Sequence, residues 1–345
     1  MITQVIKISD PNTEHEKIQA AASMILNGGL VVIPTETVYG LGGNGLNAES
    51  AKKIYAAKGR PSDNPLIIHI ADPKDAEAYA YTCDEYYKLA HSFMPGPLTV
   101  ILKKKSVIPY EVSGGLDTVA LRCPSNRIAN SIIRAAGVPV AAPSANLSGS
   151  PSPTCAEHVI HDLFGRVDMI IDGGECDIGL ESTIVSIDED GGLTLLRPGA
   201  VTYDALCCVC DRVSVSSSME GVLSADEHPL SPGMKYKHYA PSAPLVLLDG
   251  DEKKIMKFLL EEQKEKHCVI LCYDEEQEYL SPFMLLPIGK KDDVCEHAKR
   301  LFSLLREADT YSPDIIYAHM PNRSGLGMAL YNRMIRAAAH TVKEF

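Results

Sequence analysis

Several features that would place this 345-residue chain in a common class are missing from its sequence. The first ten residues hold no cationic stretch followed by an apolar run, so we predict no signal peptide. No window reaches the ~18 uncharged apolar residues that a membrane-spanning helix needs. We therefore expect a cytoplasmic protein that does not enter a membrane.

Cysteine and histidine do not form the patterns of a metal site. Ten cysteines are scattered along the chain, and only 207–210 and 268–272 bring some of them close together. A structural zinc site usually needs two such close pairs, which the sequence does not provide. We predict free, mostly buried thiols and no metal held by protein side chains alone.

The large enzyme classes and general nucleic-acid binding are also poorly supported. There is no P-loop sequence, no GxSxG elbow and no HExxH motif. The chain has 33 Lys and Arg against 45 Asp and Glu, a net charge of −12, whereas proteins that bind nucleic acid without sequence choice are usually basic. Any anion that this protein binds must therefore sit in a local pocket.

Apolar β-type runs alternate with helical stretches over the first two hundred residues. A helix is predicted over 18–27, followed by a buried strand over 30–34, and a second helix over 48–57. The uneven spacing favours an α/β domain with a twisted mixed sheet over a regular βαβ array. Further predicted strands lie at 66–70, 98–102, 119–122, 138–142, 169–171, 183–187 and 194–197.

The pattern changes after residue 212, which predicts a catalytic domain over 1–212 and a linker over 213–241. The linker ends in Ser231–Pro241, whose sequence SPGMKYKHYAP carries more side-chain chemistry than a spacer needs, so we interpret it as a lid. Residues 242–345 read as β-α-β-α-β, with strands at 245–248, 268–272 and 315–317. This order predicts a smaller Rossmann-like α/β/α domain of three layers with parallel strands.

Two segments of the first domain concentrate basic and hydroxyl groups. Pro34–Gly43 follows a buried strand and mixes threonines, a carboxylate and glycines, which suits either a ligand loop or a tight turn with capping threonines. Between residues 51 and 61 there are four basic residues and no acid. Lys58 and Arg60 flank a glycine beyond a helix and are placed to reach phosphate oxygens, whereas Lys52 and Lys53 fit a solvated helix face.

A second basic cluster runs over 98–149, with six basic residues against two acids. The period of two puts Thr118 and Arg122 on one face of a strand, where they can share a pocket. Ser144 and Asn146 follow the end of an apolar strand, a frequent position for ligand contacts in α/β folds. Arg197, at a strand end before Pro-Gly, is the only basic residue over 167–202 and is interpreted as aimed at an anion.

Taken in order, these motifs resemble the YrdC/Sua5 family. The matching strings are PTETVYGLG at 34–42, KGR at 58–60 with NPL at 64–66, PGPLT at 95–99, PSAN at 143–146, EST at 181–183 and RPG at 197–199. The linker string and GLGMALYNR at 325–333 resemble the longer Sua5 branch, which has a C-terminal domain. The resemblance covers nearly the whole chain.

The resemblance implies an L-threonylcarbamoyladenylate synthase. Such an enzyme joins L-threonine, bicarbonate or CO2 and ATP, and releases pyrophosphate, with Mg²⁺ carried on the ATP phosphates. Its product supplies the N6-threonylcarbamoyl group at adenosine 37 of tRNAs that read ANN codons, through a downstream tRNA threonylcarbamoyl transferase complex. Direct tRNA binding is then expected to be weak or absent, and the enzyme class would be nucleotidyltransferase.

The resemblance also assigns residues. The catalytic signature falls on Lys58, Arg60, Ser144 and Asn146. Those implied for L-threonine are Thr37, His69, Arg122, Ala142 and Ser182. Those implied for ATP are Arg60, Asn64, Thr118, Ser144, Asn146, Ser152 and Arg197, with Tyr236 or Tyr239 closing over the nucleotide.

Two other functions stay open on sequence grounds. A double-stranded RNA module would use a basic groove made by Lys52, Lys53, Lys58 and residues 103–105. Carbamoyl transfer in hydrogenase maturation shares the first domain but should bring acylphosphatase and zinc-finger segments, which this chain lacks. Mass spectrometry of the product formed from ATP, threonine and bicarbonate separates these possibilities.

Overall fold

The structure is a computed structural model that describes residues 2–217, 238–280 and 284–345. These residues form two compact units. The second unit comprises 149–151, 178–180 and the described residues from 238 onward, and the first unit contains the rest. No helix among the described residues is long and apolar enough to cross a membrane.

The first unit follows the predicted alternation of helices and strands. All eight predicted strands are present, with ends shifted by at most two residues, and β1, β3 and β11 are additional strands that were not predicted from the sequence. The strands are β1 (Gln4–Lys7), β2 (Val31–Ile33), β3 (Gly40–Asn44), β4 (Ile67–His69), β5 (Leu98–Lys103), β6 (Thr118–Arg122), β7 (Val140–Ala141), β8 (Met169–Asp172), β9 (Thr183–Ile187), β10 (Leu193–Arg197) and β11 (Val213–Val215). The helices are α1 (His15–Leu26), α2 (Ala48–Lys58), α3 (Ala76–Tyr79), α4 (Asp84–Phe93), α5 (Tyr110–Ser113), α6 (Arg127–Ala136), α7 (Ala156–Leu163) and α8 (Tyr203–Cys207).

Within the described residues these strands form one mixed sheet, in the order β1-β8-β2-β3-β7-β4-β6-β5-β9-β10-β11. Strands β4 and β6 are parallel, as are β5 and β9, whereas β5 and β6 are antiparallel. Helices α1 and α6 pack together over part of this sheet, around Ile25, Val31 and Ile132. The predicted twisted mixed sheet is confirmed.

Helix α2 illustrates how the local sequence sets an element. The Asn47 side chain accepts hydrogen bonds from the N–H groups of Glu49 and Ser50, which caps the first turn. Gly59 ends the helix in the left-handed conformation, at φ 62°, which favours glycine. This stop fixes Lys58 in the last turn of the helix and Arg60 just after it.

The glycine-rich end of the segment after β2 is neither a ligand loop nor a turn. Its glycines have GxGxxG spacing over 40–45, yet Gly40–Asn44 is strand β3 rather than a strand-to-helix turn. A Cβ on Gly42 would lie 2.9 Å from both Val140 Cγ1 and the Val31 carbonyl oxygen. These glycines let neighbouring strands approach, so the reason for their presence is packing.

The second unit has its own sheet, in the order β14-β13-β15-β12-β16, with all strands parallel. Helix α9 packs on one face of this sheet around Leu259 and Ile270, and α12 lies toward Leu271 on the other, which confirms the predicted layers. Strands β14 and β16 and helices α10 and α12 were not predicted from the sequence. The elements are β12 (Leu245–Asp249), α9 (Glu252–Glu262), β13 (Cys268–Cys272), α10 (Gln277–Leu280), β14 (Met284–Pro287), α11 (Val294–Thr310), β15 (Ile315–His319), α12 (Leu326–Ala337) and β16 (Val342–Glu344).

The start of the predicted linker also differs from the structure. Residues Val213–Val215 form β11 and pair in parallel with β10, so they belong to the first sheet. The alternation Val-Ser-Val is compatible with an edge strand, although composition suggested a loop. The string over 231–237 lies outside the described residues, so the lid stays a prediction.

Candidate active site

Polar side chains gather on one face of the first sheet. His69 of β4 is paired in register with Arg122 of β6, and Arg122 with Thr99 of β5, so the three side chains share a face. Ile67, Ile101 and other apolar residues form a small buried cluster on the same face. His69, Arg122 and Thr99 lie beside this apolar patch.

Arg122 and Glu36 form a buried ion pair at one end of the patch. Arg122 Nη2 lies 2.8 Å from Glu36 Oε1, and each side chain is 5% exposed. Burial opposes ionisation of Glu36, but the Arg122 guanidinium outweighs it and holds the pKa of Glu36 below its usual value. The carboxylate is therefore charged at neutral pH and holds one edge of the guanidinium.

A second nitrogen of Arg122 has no hydrogen-bond partner among the described residues. Its Nε is buried and makes no hydrogen bond. An unpaired buried donor on a charged group is costly. Arg122 therefore keeps one donor for an acceptor that is not part of the protein.

Thr35 and Thr37 complete this end of the site. Their hydroxyl oxygens lie 2.9 Å apart, and Arg122 Nη2 approaches Thr35 Oγ1 at 3.5 Å. Both threonines are buried. The segment after β2 therefore contributes hydroxyl groups beside the guanidinium.

His69 is a neutral imidazole in this setting. Burial, reinforced by the positive charge of Arg122, lowers its pKa to about 3. Its Nδ1 lies 3.2 Å from the carbonyl oxygen of Ile67. At neutral pH His69 offers a hydrogen bond without adding charge.

Ser182 and Arg197 lie at the far side of Thr99. The hydroxyl oxygens of Ser182 and Thr99 are 2.7 Å apart, and Arg197 donates from Nε to the Ser182 carbonyl at 3.0 Å and from Nη2 to its hydroxyl at 3.2 Å. All three side chains are buried. The structure therefore places Arg197 beside a residue predicted to hold threonine, although the resemblance assigns Arg197 to ATP.

Lys58, Ser144 and Asn146 form a second group. Lys58 is 2% exposed, and its Nζ donates to the carbonyl oxygens of Ser144 at 2.5 Å and Asn146 at 2.6 Å. The Ser144 hydroxyl donates to Asn146 Oδ1 at 2.6 Å. The ammonium at the end of α2 thus organises the loop that follows β7.

The two groups are joined by the backbone of the segment that carries Glu36. Gly40 forms a β-bridge with Ser144, and the N–H of Ala145 donates to the carbonyl of Tyr39 at 2.8 Å. The segment 36–40 therefore contacts Arg122 through Glu36 and the loop of Ser144 through Tyr39 and Gly40. The geometry places an anion-binding guanidinium and a buried ammonium on either side of it.

Arg60 and Asn64 lie near the start of β4. Arg60 is half-buried and donates to the carbonyl oxygens of Asn64 and Pro65, at 3.2–3.4 Å. Asn64 is 1% exposed, and its Oδ1 has no hydrogen-bond partner among the described residues. A buried acceptor of this kind suits a ligand that donates a hydrogen bond.

The remaining predicted residues are more dispersed. Thr118 shares the face of Arg122 but lies at the other end of β6, about 13 Å away at ~3.3 Å per residue. Ala142 is buried, and its N–H donates to the Ile67 carbonyl at 2.8 Å. Ser152 donates to the buried Glu181 carboxylate at 2.5 Å. The predicted residues are therefore spread over the first unit rather than gathered at one point.

The two tyrosines predicted to cover the nucleotide are not seen to do so. Tyr236 lies outside the described residues. Tyr239 is buried in the second unit, with its ring 5.3 Å from that of Phe302. The role of both tyrosines stays a prediction.

Five of the six lysines of the alternative RNA groove have local partners, and Lys103 is exposed at the end of β5. Lys52 pairs with Glu49 at 2.7 Å on the surface of α2, and Lys53 donates to the Gly28 carbonyl. Lys104 lies 3.7 Å above the Tyr110 ring, and Lys105 donates to the Glu77 carbonyl. Lys58 is buried, so it cannot line an exposed groove.

The sequence analysis assigned no role to Glu36 or Thr99. Both occur in the strings that carried the resemblance. Nothing in the sequence around Glu36 indicated its partner Arg122, which lies on β6, four strands from β2 in the sheet order. Their role is visible only in the registers that bring Arg122 beside them. The one available signal was that Glu36 is the only acid in the string at 34–42, which otherwise holds uncharged residues.

Comparison with known proteins identifies the same architecture. A model of the Sua5_yciO_yrdC family, described as "Telomere recombination", matches residues 23–199, and one described as "Threonylcarbamoyl-AMP synthase, C-terminal domain" matches residues 201–339. Threonylcarbamoyl-AMP synthase of Bacillus subtilis is 42% identical over 99% of this chain and 97% of its own length. That of Pyrococcus abyssi is 41% identical over 99% of both.

A solved structure is similar over its full length. The crystal structure of Pyrococcus abyssi Sua5 complexed with L-threonine has a TM-score of 0.90 and 38% identity, with all of both chains covered. Both domains of that protein are therefore represented here. The chain belongs to the Sua5, YciO and YrdC family, in the longer form that carries the Sua5 C-terminal domain.

Proposed function

We propose that this protein is an L-threonylcarbamoyladenylate synthase, a nucleotidyltransferase. It condenses L-threonine, CO2 or bicarbonate and ATP to threonylcarbamoyl-AMP and pyrophosphate. The observation that carries the proposal is full-length similarity to relatives of that name, together with a site that pairs a partly unsatisfied guanidinium with a buried ammonium. The product serves N6-threonylcarbamoyladenosine formation at position 37 of tRNAs that read ANN codons.

In this proposal Arg122 receives the carboxylate of threonine. Glu36 holds the Nη2 edge, and Nε is the buried donor that the substrate satisfies. Thr37 and Ser182 supply hydroxyls, and the Ala142 position lines the same pocket. Neutral His69 accepts or donates one hydrogen bond without repelling the substrate's ammonium group.

The ammonium group of threonine first loses a proton to solvent. The neutral amine then attacks CO2, so that a C–N bond forms as one C–O π bond breaks, and a second N–H proton leaves to solvent to give the carbamate. A carbamate oxygen then attacks the α-phosphorus, and the bond from that phosphorus to the bridging oxygen breaks, so that pyrophosphate leaves. Lys58 and Arg60 stabilise the negative charge that develops there, and Ser144 and Asn146 fix Lys58 in place. Catalysis is positioning and electrostatics, with no covalent enzyme intermediate.

The nucleotide extends from this group over the described residues predicted for ATP. The unpartnered Asn64 Oδ1 can accept a hydrogen bond from an amino group of the nucleotide. Thr118, Ser152 and Arg197 are the other residues that contact the nucleotide in this proposal. Mg²⁺ arrives as the complex with ATP and keeps water ligands. Among the described residues there is no cluster of three or more His, Cys, Asp or Glu that could hold a metal ion.

The test is product identification. Incubation with ATP, threonine and bicarbonate should give a species with the mass of threonylcarbamoyl-AMP and one pyrophosphate per product. Lys58→Ala and Arg60→Ala should each reduce pyrophosphate release by at least about a hundredfold, since each removes a charge that acts on the transition state. Lys52→Ala, on the exposed face of the same helix, is the matched control and should retain full activity.

Normal turnover in both Lys58→Ala and Arg60→Ala would remove these catalytic roles. Absence of the product in the unaltered protein would remove the function itself. We further propose that the product passes to a tRNA threonylcarbamoyl transferase complex in the cytoplasm. The ten cysteines, all within the described residues, are free thiols, which suits a reducing compartment.

A further inference from the structure

Polar side chains extend across five adjacent strands of the first sheet, in the order β4, β6, β5, β9 and β10. His69, Arg122 and Thr99 share one register across the first three of these strands. Ser182 directly precedes β9, and Arg197 ends β10. The function proposed above uses four of these residues, and Thr99, in the middle of the row, has no role in it.

Thr99 has a single side-chain partner among the described residues. It is 0% exposed, and its Oγ1 lies 2.7 Å from Ser182 Oγ. Its neighbours in register are Arg122 on β6 and Ile184 on β9. A guanidinium only donates and an isoleucine side chain has no polar atom, so neither side chain can accept the proton of the Thr99 hydroxyl.

Ser182 is held on its other side by Arg197. The guanidinium donates from Nε to the Ser182 carbonyl at 3.0 Å and from Nη2 to the Ser182 hydroxyl at 3.2 Å. This second bond occupies one lone pair of the Ser182 hydroxyl oxygen. A proton donated by Thr99 occupies the other, and the Ser182 hydroxyl then has no capacity left to accept.

The two hydroxyl groups carry two protons, and only one of these can lie between the two oxygens. The other proton has no acceptor among the described residues. If it belonged to Thr99, the oxygen of Thr99 would turn a lone pair toward Ser182 and leave its proton on the strand that faces the Arg122 cation. With Thr99 as the donor, the spare proton belongs to Ser182, which is 1% exposed. A buried donor without an acceptor is costly, and an oxygen of a bound ligand removes that cost.

We propose that Thr99 is a positioning residue that makes the Ser182 hydroxyl a hydrogen-bond donor toward an oxygen of bound threonine, an inference that rests on the function proposed above. Thr99 acts through Ser182, by filling the lone pair with which Ser182 would otherwise accept. A ligand that presents a donor to Ser182 is therefore disfavoured, whereas a carboxylate or hydroxyl oxygen is favoured.

Calorimetric titration of the full chain with L-threonine tests this role. Thr99→Val keeps the branched shape of the side chain and removes its hydroxyl. It should raise the Kd for threonine about tenfold, since the Ser182 proton is no longer directed. In pyrophosphate-release assays the KM for threonine should rise by the same factor, with kcat and the KM for ATP unchanged. Thr99→Ser restores the hydroxyl and should restore the affinity.

A double-mutant cycle shows whether Thr99 acts through Ser182. Ser182→Ala removes the donor itself, so adding Thr99→Val to it should cause no further loss of threonine affinity. Thr3→Val is the matched control, because Thr3 is another buried threonine of the first unit, and its hydroxyl donates to the Val167 carbonyl at 2.6 Å. It should lower the free energy of unfolding and leave threonine affinity unchanged.

Unchanged threonine affinity in Thr99→Val, a loss that Thr99→Ser does not recover, or additive losses in the cycle overturn the proposal. Circular dichroism checks folding, and Thr99→Ala replaces Thr99→Val in the cycle where the valine variant does not fold. An unaltered protein that neither binds threonine nor forms the product would count against the proposed function. Normal product formation together with an unaffected Thr99→Val would overturn this inference alone.

Discussion

The Arg122–Glu36 pair shows how one contact can serve both stability and binding. Burying two charges is costly, and the pair is tolerated because each partner neutralises the other. Nε of Arg122 makes no hydrogen bond, so the guanidinium is only partly hydrogen-bonded in the ligand-free protein. This incomplete satisfaction distinguishes it from the surface ion pairs of the same unit.

Glu36→Gln should lower the free energy of unfolding by roughly 2 to 4 kcal/mol, because it leaves the Arg122 charge buried without a counterion. Urea denaturation measures this loss. Glu49→Gln is the matched control, since Glu49 also pairs with a basic residue but on the surface, and it should cost less than about 1 kcal/mol. Equal losses in the two variants would contradict the role given to the buried pair.

His69 should make stability depend on pH. Its pKa is about 3 in the folded protein, against an ordinary value near 6.5, so between these values the unfolded chain binds the additional proton. Stability then falls as the pH decreases, and from pH 7 to pH 5 this group accounts for about 2 kcal/mol.

Urea unfolding at both pH values checks this expectation. The difference between pH 7 and pH 5 should shrink by about 2 kcal/mol in His69→Gln. It should persist in His91→Gln, because His91 is exposed on α4. An unchanged difference in His69→Gln would show that the imidazole is not held neutral by the fold.

Among the elements, the predicted strands with strong apolar character are all present, and the missed ones have identifiable reasons. Strand β3 has the sequence GLGGN, and glycine normally disfavours strands. Strand β16 is only three residues long, too short for a period of two to be visible. These elements are set by tertiary pairing, which local sequence patterns do not report.

The glycines of β3 give a prediction of their own. Gly42→Ala should cost about 1–3 kcal/mol, because the new Cβ would collide with Val140 and with the backbone of β2. Gly192→Ala is the control and should be nearly neutral, because its Cβ would lie 3.3 Å from the end of the Asp188 side chain, 3.6 Å from that of Asp190 and 3.7 Å from the Arg212 carbonyl oxygen. Thermal denaturation of both variants measures the difference, and a neutral Gly42→Ala would favour the ligand-loop interpretation instead.

For the whole molecule, the sequence predicted the two α/β units and most of the proposed site, because the site residues lie in short strings with strong motif character. It did not predict how Arg197, Ser182 and Thr99 are linked, since Thr99 lies in β5, Arg197 in β10 and Ser182 just before β9. It also did not indicate that Tyr273 stacks on His319 in the second unit, because these residues are 46 positions apart and meet only through the parallel pairing of β13 and β15.

Separate sheets in the two units predict that residues 1–217 fold without the rest. The described residues of the proposed active site, apart from Tyr239, all lie in the first unit. The truncated chain should therefore unfold cooperatively, bind threonine and show weak synthesis, since the residues from 231 onward are predicted to support turnover. Circular dichroism, threonine titration and pyrophosphate release measure these three properties.

Full activity would show that the second unit and the segment before it are dispensable for the reaction. Failure to fold would show that the first sheet needs residues 149–151 and 178–180 in the positions that they have as part of the second unit.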